Sequence, residues 1–324
     1  MLPTAAIFVL VFIAGYATQR GSVCAVGAIQ EIVDERSAGK LLGFLFCAGC
    51  ALITMGVAGL AGVDAISRHR DLAIGTTTIA GGMVFALGAH INGKCAFGTV
   101  AALGAGDLAY GATILGFVAG VATMFASGAM HPADLNGPVA SPLLALDAAL
   151  VAVLALALTG ALAIAHWRQG GGAVTAGGWS TFRAMVVIGL VNAPLLAMLH
   201  GWPYTRLLID LVGAHAEEIP RRVTITAIFV LGSVGGAVVG RRFAWRRGTG
   251  GRWLRASAGG YVMGLGAVLI PGGNDTMLMV GLPLLLPNLS LAYGVTLVTL
   301  YALETVSARW TGGAIRWPFR KRRA

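Results

Sequence analysis

The feature that most constrains this sequence is a series of long apolar segments along almost the whole chain. A helix needs roughly 17–25 mainly apolar residues to cross the hydrocarbon layer of a bilayer. We therefore predict an all-α polytopic membrane protein of about nine transmembrane helices, built as one integral membrane domain over residues 1–324. The nine segments are 3–19, 41–63, 72–91, 108–130, 143–165, 184–199, 223–240, 256–270 and 288–303.

The composition excludes a soluble enzyme. Only 11% of the 324 residues are charged, whereas water-facing surfaces carry about 25–35% charged residues. The net charge of +10 does not indicate a nucleic-acid partner, because twelve of the 23 Lys and Arg residues lie in two runs, at 241–255 and 309–323. Basic runs at the ends of apolar segments are typical of the cytoplasmic side of a membrane. We therefore expect the partner of this protein to be membrane lipid and not nucleic acid.

Four further apolar pieces are too short to cross a bilayer, and each begins at a Gly, a Pro or a polar residue. They cover 23–33, 95–103, 204–212 and 276–286. We interpret them as half-helices that enter the membrane without crossing it. Broken helices of this kind survive at membrane depth only where protein or a watery cavity covers them, and they point to a transport site.

The basic residues also predict the orientation of the chain. With nine spans, 18 Lys and Arg residues fall on one side and five on the other. The basic side is expected to be cytoplasmic. The N-terminus is then outside and the C-terminus inside.

An internal repeat relates the two ends of the chain. The sequence G-G-M-V-F-A-L-G-A at 81–89 matches G-G-Y-V-M-G-L-G-A at 259–267, at an offset of 178. The first repeat then covers 3–130, a linking span covers 143–165, and the second repeat covers 181–308. Since the linking span carries the chain across once more, the second repeat begins on the opposite face, and the two repeats are predicted to be inverted.

Two short motifs carry the residues most suited to chemistry. R-G-S-V-C at 20–24 and N-G-K-C-A-F-G at 92–98 each place a cysteine, Cys24 or Cys95, at the start of a half-helix and close to a cation, Arg20 or Lys94. A helix N-terminus attracts anions and stabilises a thiolate. The alternative is that both cysteines are small packing residues, but their equivalent placement favours a functional site.

The remaining cysteines, Cys47 and Cys50, form a C-x-x-C pattern that raises a second function class, a membrane thiol oxidoreductase acting with Cys24 or Cys95. Redox pairs of this type usually lie at a helix N-terminus, whereas this pair lies inside an apolar segment rich in small residues. A close helix–helix contact is the favoured interpretation. The oxidoreductase stays as the alternative to a transporter.

The two cysteine motifs, together with the pattern at 259–267, resemble the YeeE/YedE family of sulfur-transport membrane proteins. The resemblance covers nearly the whole chain. It implies a bacterial inner-membrane transporter or facilitator for thiosulfate or a related sulfur or chalcogen compound, and a fold similar to the nine spans and four half-helices above. It also implies that thiols on Cys24 and Cys95 pass the anion along a narrow path, and that a small cytoplasmic sulfur-carrier protein is a partner.

The sequence departs from this family pattern in its second repeat. Family members that carry thiosulfate usually have a third cysteine on the counterpart of the Cys95 motif, where this chain has P-G-G-N-D-T at 271–276. Asn274, after Gly273, is predicted to replace the thiol with its amide N–H₂ group, with the N–H groups of Thr276 and Met277 behind it. Asp275 is either a proton-coupling group or an N-cap, and the cap is the favoured interpretation.

The substrate path is therefore predicted to contain, from the first repeat, Asn92, Gly93, Lys94, Cys95 and Cys24, and from the second, Gly273 and Asn274. His90, Asp275 and Arg20 are candidates for gating or coupling, and a structural histidine is the alternative for His90. No metal-binding spacing or nucleotide-binding motif occurs in the sequence, so we expect no metal or cofactor.

Overall fold

The computed structural model describes residues 4–62, 66–67, 69–128, 137–168, 178–199, 202–213 and 219–310. Long helices dominate these residues, and each overlaps one of the nine predicted segments, which confirms the all-α polytopic class. They are α1 (Thr4–Arg20), α3 (Gly39–Leu60), α4 (Thr76–Asn92), α6 (Gly111–Ala126), α7 (Ala148–Arg168), α8 (Thr181–Met198), α10 (Ile219–Val239), α11 (Gly250–Leu269) and α13 (Pro287–Trp310).

The four short segments predicted as half-helices are also helical. They form α2 (Ala25–Glu35), α5 (Ala96–Gly104), α9 (Tyr204–Asp210) and α12 (Asn274–Thr276), which continues as a π-helical turn over Met277–Gly281. Two short strands, β1 (Arg70–Leu72) and β2 (Pro138–Ala140), pair antiparallel between spans. The sequence prediction of short helices between the long ones is therefore confirmed.

The number of helices able to cross a membrane differs from the predicted nine. Seven candidate spans among the described residues are long and apolar enough, or up to eight if α11 and α12, bent by 52° at their junction, count as one broken span. Of the nine long helices, α4 and α11 alone are not among these seven, and α4 is the shorter of the two. It has 17 residues, because its C-cap Gly93 adopts a left-handed conformation (φ 73°) that ends the helix after Asn92.

The outer surface of the helices is apolar, as a lipid-facing surface must be. Helix α7 shows this most clearly, since Leu154, Leu156 and Leu158 are each more than half exposed. An apolar surface of this extent would drive aggregation in water. The helices enclose a core in which α1 packs on α8 and α10, and α4 packs on α11 and α13.

The repeated glycine pattern lies where α4 crosses α11. A Cβ atom on Gly88 would lie 2.4 Å from the Met263 nitrogen, and one on Gly259 would lie 2.5 Å from the Asn92 nitrogen. Only glycine allows the two backbones to approach this closely. An offset of 178 also brings the bounds of the helices from α1 to α6 close to those of the helices from α8 to α13, and the inverted orientation stays a prediction.

The predicted orientation has a direct test. A reporter inserted at Gly137 is expected to be active only outside the cell, and a reporter fused to the C-terminus only in the cytoplasm, because basic residues stay on the cytoplasmic side. Most of the loop at 130–142 and of the basic run at 309–323 lies outside the described residues. Activity of both reporters on the same side would contradict the predicted count of spans.

Candidate functional site

The N-termini of the short helices meet in the centre of the molecule and cap one another. Cys24 and Cys95 are the N-cap residues of α2 and α5. The Cys95 sulfur accepts a hydrogen bond from the Ala25 N–H at 3.1 Å, so it serves the first turn of α2 rather than its own helix. The Asn274 Oδ1 in turn accepts from the Ala96 N–H at 3.0 Å. We call Cys24, Cys95 and Asn274 the central cluster.

The two thiols of the central cluster belong to one site. The Cys24 and Cys95 side chains are hydrogen-bonded to each other, and the Lys94 ammonium lies within electrostatic range of the Cys24 sulfur. The Cys24 sulfur lies against the backbone of Gly98, where an added Cβ would approach it to 2.6 Å. The structure thus brings together Cys24, Cys95 and Lys94 from two separate motifs.

The hydrogen bond from Ala96 fixes the orientation of the Asn274 amide. A backbone N–H can only donate, so the atom that it meets must be the carbonyl oxygen. The Nδ2 group then points away from the Ala96 N–H. Asn274 is 1% exposed. The amide therefore presents its N–H₂ group as a donor at the contact between the two repeats.

Asp275 is not the N-cap residue of its own helix. Gly273 is the N-cap residue of α12, and Asp275 lies in the first turn. Its carboxylate accepts from the Thr205 N–H at 3.1 Å and from the Thr205 hydroxyl, so it caps the first turn of α9. The expected cap is thus wrong for α12, because the helix begins two residues earlier than predicted.

The backbone donors expected behind Asn274 are already used. The Thr276 N–H donates to the Asp275 Oδ1 at 3.0 Å, and the Met277 N–H donates to the Gly273 carbonyl at 3.0 Å. This part of the prediction is wrong, because the tight turn at Gly273 closes these bonds within the segment. The side-chain amide of Asn274 is the donor that is left.

Asn92 holds the turn that presents Cys95. Its Nδ2 donates to the Lys94 carbonyl at 2.8 Å and to the Thr99 hydroxyl at 3.1 Å, while its Oδ1 accepts from Thr113 at 2.8 Å. Gly93 adopts the left-handed backbone conformation that this turn requires. Since both ends of the Asn92 amide are occupied, the geometry fits a positioning residue, whereas the sequence predicted it on the path.

His90 lies beside an acidic side chain near the end of α4. Its Nδ1 lies 2.8 Å from the Glu304 Oε1, and the Gln30 Nε2 donates to the Glu304 Oε2 at 3.3 Å. Glu304 is 5% exposed, so it faces the protein interior. These three side chains join α2, α4 and α13. The coupling role of His90 stays a prediction.

Basic side chains surround the approach to α2. The Arg242 guanidinium donates to the Ser22 hydroxyl at 2.9 Å, and Arg20 ends α1 with its guanidinium 6.0 Å from the centre of the Tyr16 ring. Ser22 has a positive φ of 49°, a conformation that costs energy for a residue with a side chain. This strained turn places a hydroxyl and two cations next to the Cys24 helix.

Cys47 and Cys50 lie away from any helix N-terminus. Both are free thiols inside α3, and the backbone of α8 passes so close that a Cβ on Gly189 would lie 2.9 Å from the Cys50 Cβ. Their place in the fold is explained by the close helix contact that the sequence favours. No group of three or more metal-binding side chains occurs among the described residues.

Three contacts of the site come from residues that the sequence analysis did not single out. The Tyr204 hydroxyl donates to the Ala96 carbonyl at 2.9 Å, Thr205 bonds Asp275, and Arg242 bonds Ser22. A small cavity lies between α5, α6, α9 and α11, and Tyr204 and Thr99 are among its lining residues. Long-range partners of this kind leave no spacing signal in a sequence.

Comparison with known proteins agrees with the resemblance that the motifs suggest. Residues 20–300 match the family model described as "Sulphur transport". The match includes all three members of the central cluster and both copies of the repeated glycine pattern. No curated protein matches the sequence. Because the matched region covers most of the chain, this multi-pass membrane protein belongs to the sulphur transport family.

Proposed function

We propose that this protein moves a small sulfur-containing anion, thiosulfate or a related compound, across the bacterial inner membrane through the central cluster. The observation that carries the proposal is the meeting of two thiols and one amide at the N-termini of facing short helices. Helix N-termini favour negative charge. Thiol and amide groups supply hydrogen-bond donors that an anion needs once it leaves water.

The site favours an anion without holding it tightly. A thiol is a weak donor, and neutral donors do not form the strong charged pairs that would trap an anion. The cationic Lys94 lies beside Cys24, where it raises the local concentration of negative ions. An anion can therefore enter, exchange donors and leave toward the side where Arg242 and Ser22 lie.

The replacement of a third cysteine by Asn274 bears on which anion is preferred. An amide N–H donates better to oxygen than to sulfur, so a path with one amide and two thiols suits an anion with both atom types. Thiosulfate and sulfite fit this description. A small cytoplasmic sulfur-carrier protein that consumes the substrate would keep the flow directed inward, and this partner is part of the proposal.

Uptake by proteoliposomes tests the proposed function. Purified protein is reconstituted and offered labelled thiosulfate, sulfite, sulfate, selenite and sulfide, each at the same concentration. We expect uptake of thiosulfate or sulfite well above protein-free vesicles, and competition between the accepted anions. Uptake of none of them above the background of empty vesicles would contradict the proposal.

A further inference from the structure

Tyr293 is the largest fully buried side chain of the described residues, and its hydroxyl lacks a partner. The residue lies in the second turn of α13 and is 2% exposed. Its hydroxyl makes no hydrogen bond to any described residue. Buried tyrosine hydroxyls usually find a partner, and a phenylalanine would fill the same volume without a polar group. The hydroxyl therefore needs an explanation other than packing.

Tyr293 lies on the face of α13 that covers the segment after Asn274. On helix α13, Leu289 and Thr296 lie one turn before and one turn after Tyr293, on the same face. Leu289 packs on Gly281, and the Thr296 hydroxyl lies 3.9 Å from the Met277 sulfur. This face of α13 thus covers the π-helical turn that follows Asn274. The Tyr293 hydroxyl also lies within electrostatic range of the sulfur atoms of Cys95, Cys47 and Cys24.

We propose that the Tyr293 hydroxyl is a further donor of the transport path, and that it binds an oxygen atom of the passing anion. This inference rests on the proposed function and narrows its substrate class to sulfur oxoanions. An O–H group is a stronger donor than a thiol and suits oxygen acceptors. With the Asn274 amide, the path then has two donors for oxygen and two thiols for the softer sulfur end.

The variant Tyr293→Phe separates this role from a structural one. It removes one oxygen atom and leaves the ring in place. Because the hydroxyl has no protein partner to lose, we expect the melting temperature without anion to stay the same or rise. Uptake of labelled thiosulfate by proteoliposomes is expected to fall about tenfold or more, as the anion loses one donor.

Two other tyrosines provide matched controls. Tyr301 lies on the same helix but is 48% exposed, so Tyr301→Phe is expected to change neither uptake nor melting temperature. Tyr204 does have a protein partner, the Ala96 carbonyl. Tyr204→Phe is therefore expected to lower the melting temperature, and it shows how a structurally bonded hydroxyl behaves in the same assay.

The possible outcomes distinguish the inference from the proposed function. Normal uptake by Tyr293→Phe, with an active wild-type protein, would overturn the role of Tyr293 and leave the proposed function intact. A lower melting temperature of Tyr293→Phe would show a protein partner for the hydroxyl and would also overturn it. If the wild-type protein takes up neither thiosulfate nor sulfite, the proposed function fails and this inference falls with it.

Discussion

Replacing Cys95 by alanine is expected to reduce anion uptake by roughly 10- to 100-fold, since a lost hydrogen bond to a charged group costs about 1.5–3 kcal/mol. The Cys95 thiol contacts Cys24 and accepts from Ala25, so alanine removes a donor from the central cluster. Uptake of labelled thiosulfate by proteoliposomes at equal protein density measures the effect.

Serine at the same position separates the cap from the thiol. Cys95→Ala leaves the Ala25 N–H without its acceptor, so we expect it to lower the melting temperature. Cys95→Ser keeps an acceptor for this N–H, so we expect it to retain the wild-type melting temperature. Its uptake should differ from wild type mainly in preference, toward anions with more oxygen. Cys47→Ala, in the packed interior of α3, is the matched control and should transport normally. Wild-type uptake by Cys95→Ala would reduce Cys95 to a packing residue.

Replacing Asn274 by aspartate should abolish uptake at least as completely. Aspartate keeps an oxygen that can accept from the Ala96 N–H, so α5 stays capped. The substitution exchanges the Nδ2 donor for a second oxygen. This oxygen repels an anion when the carboxyl group is charged, and the anion no longer has a donor at this position. The loss is expected to be roughly 100-fold or more, as a lost donor and a repulsion add.

Two other substitutions at Asn274 complete this test. Asn274→Ala removes both the cap and the donor, and it should lose uptake about as fully as Cys95→Ala. Asn274→Cys restores a thiol and should shift the preference toward thiosulfate over sulfite, measured by competition. If Asn274→Asp and Asn274→Ala transport normally, and Asn274→Cys leaves the ranking of anions unchanged, then the second repeat does not touch the substrate.

Much of the architecture could be predicted because membrane helices obey simple local rules. Length and apolar composition located the long helices, and interruptions by Gly or Pro located the short ones. The boundaries were less certain: α12 begins at Asn274 and not at Thr276. That shift changed the role of Asp275 from a cap of its own helix to a cap of α9.

The contacts of the site depend on tertiary structure and could not be predicted from local sequence. The bond between Ala25 and Cys95 joins residues 70 positions apart, and that between Ala96 and Asn274 joins residues 178 positions apart. The sequence identified Cys24, Cys95 and Asn274 because each follows a helix-breaking glycine motif. Tyr293 lies in an ordinary helical segment, where nothing in the apolar pattern marks its buried hydroxyl.

The mutual capping of the short helices has a consequence for leakage. A permanently open pore through the bilayer would admit protons and water together with the substrate. In this protein the Ala25 and Ala96 N–H groups are bonded by side chains of the opposing segments, so on the proposed path the groups that would meet the anion also close the barrier. On the proposed path, an anion would pass by exchanging partners with these caps one at a time, and each bond would re-form behind it. Permeation would then resemble a handover between bound states, and the membrane potential would be preserved without a large hinged gate.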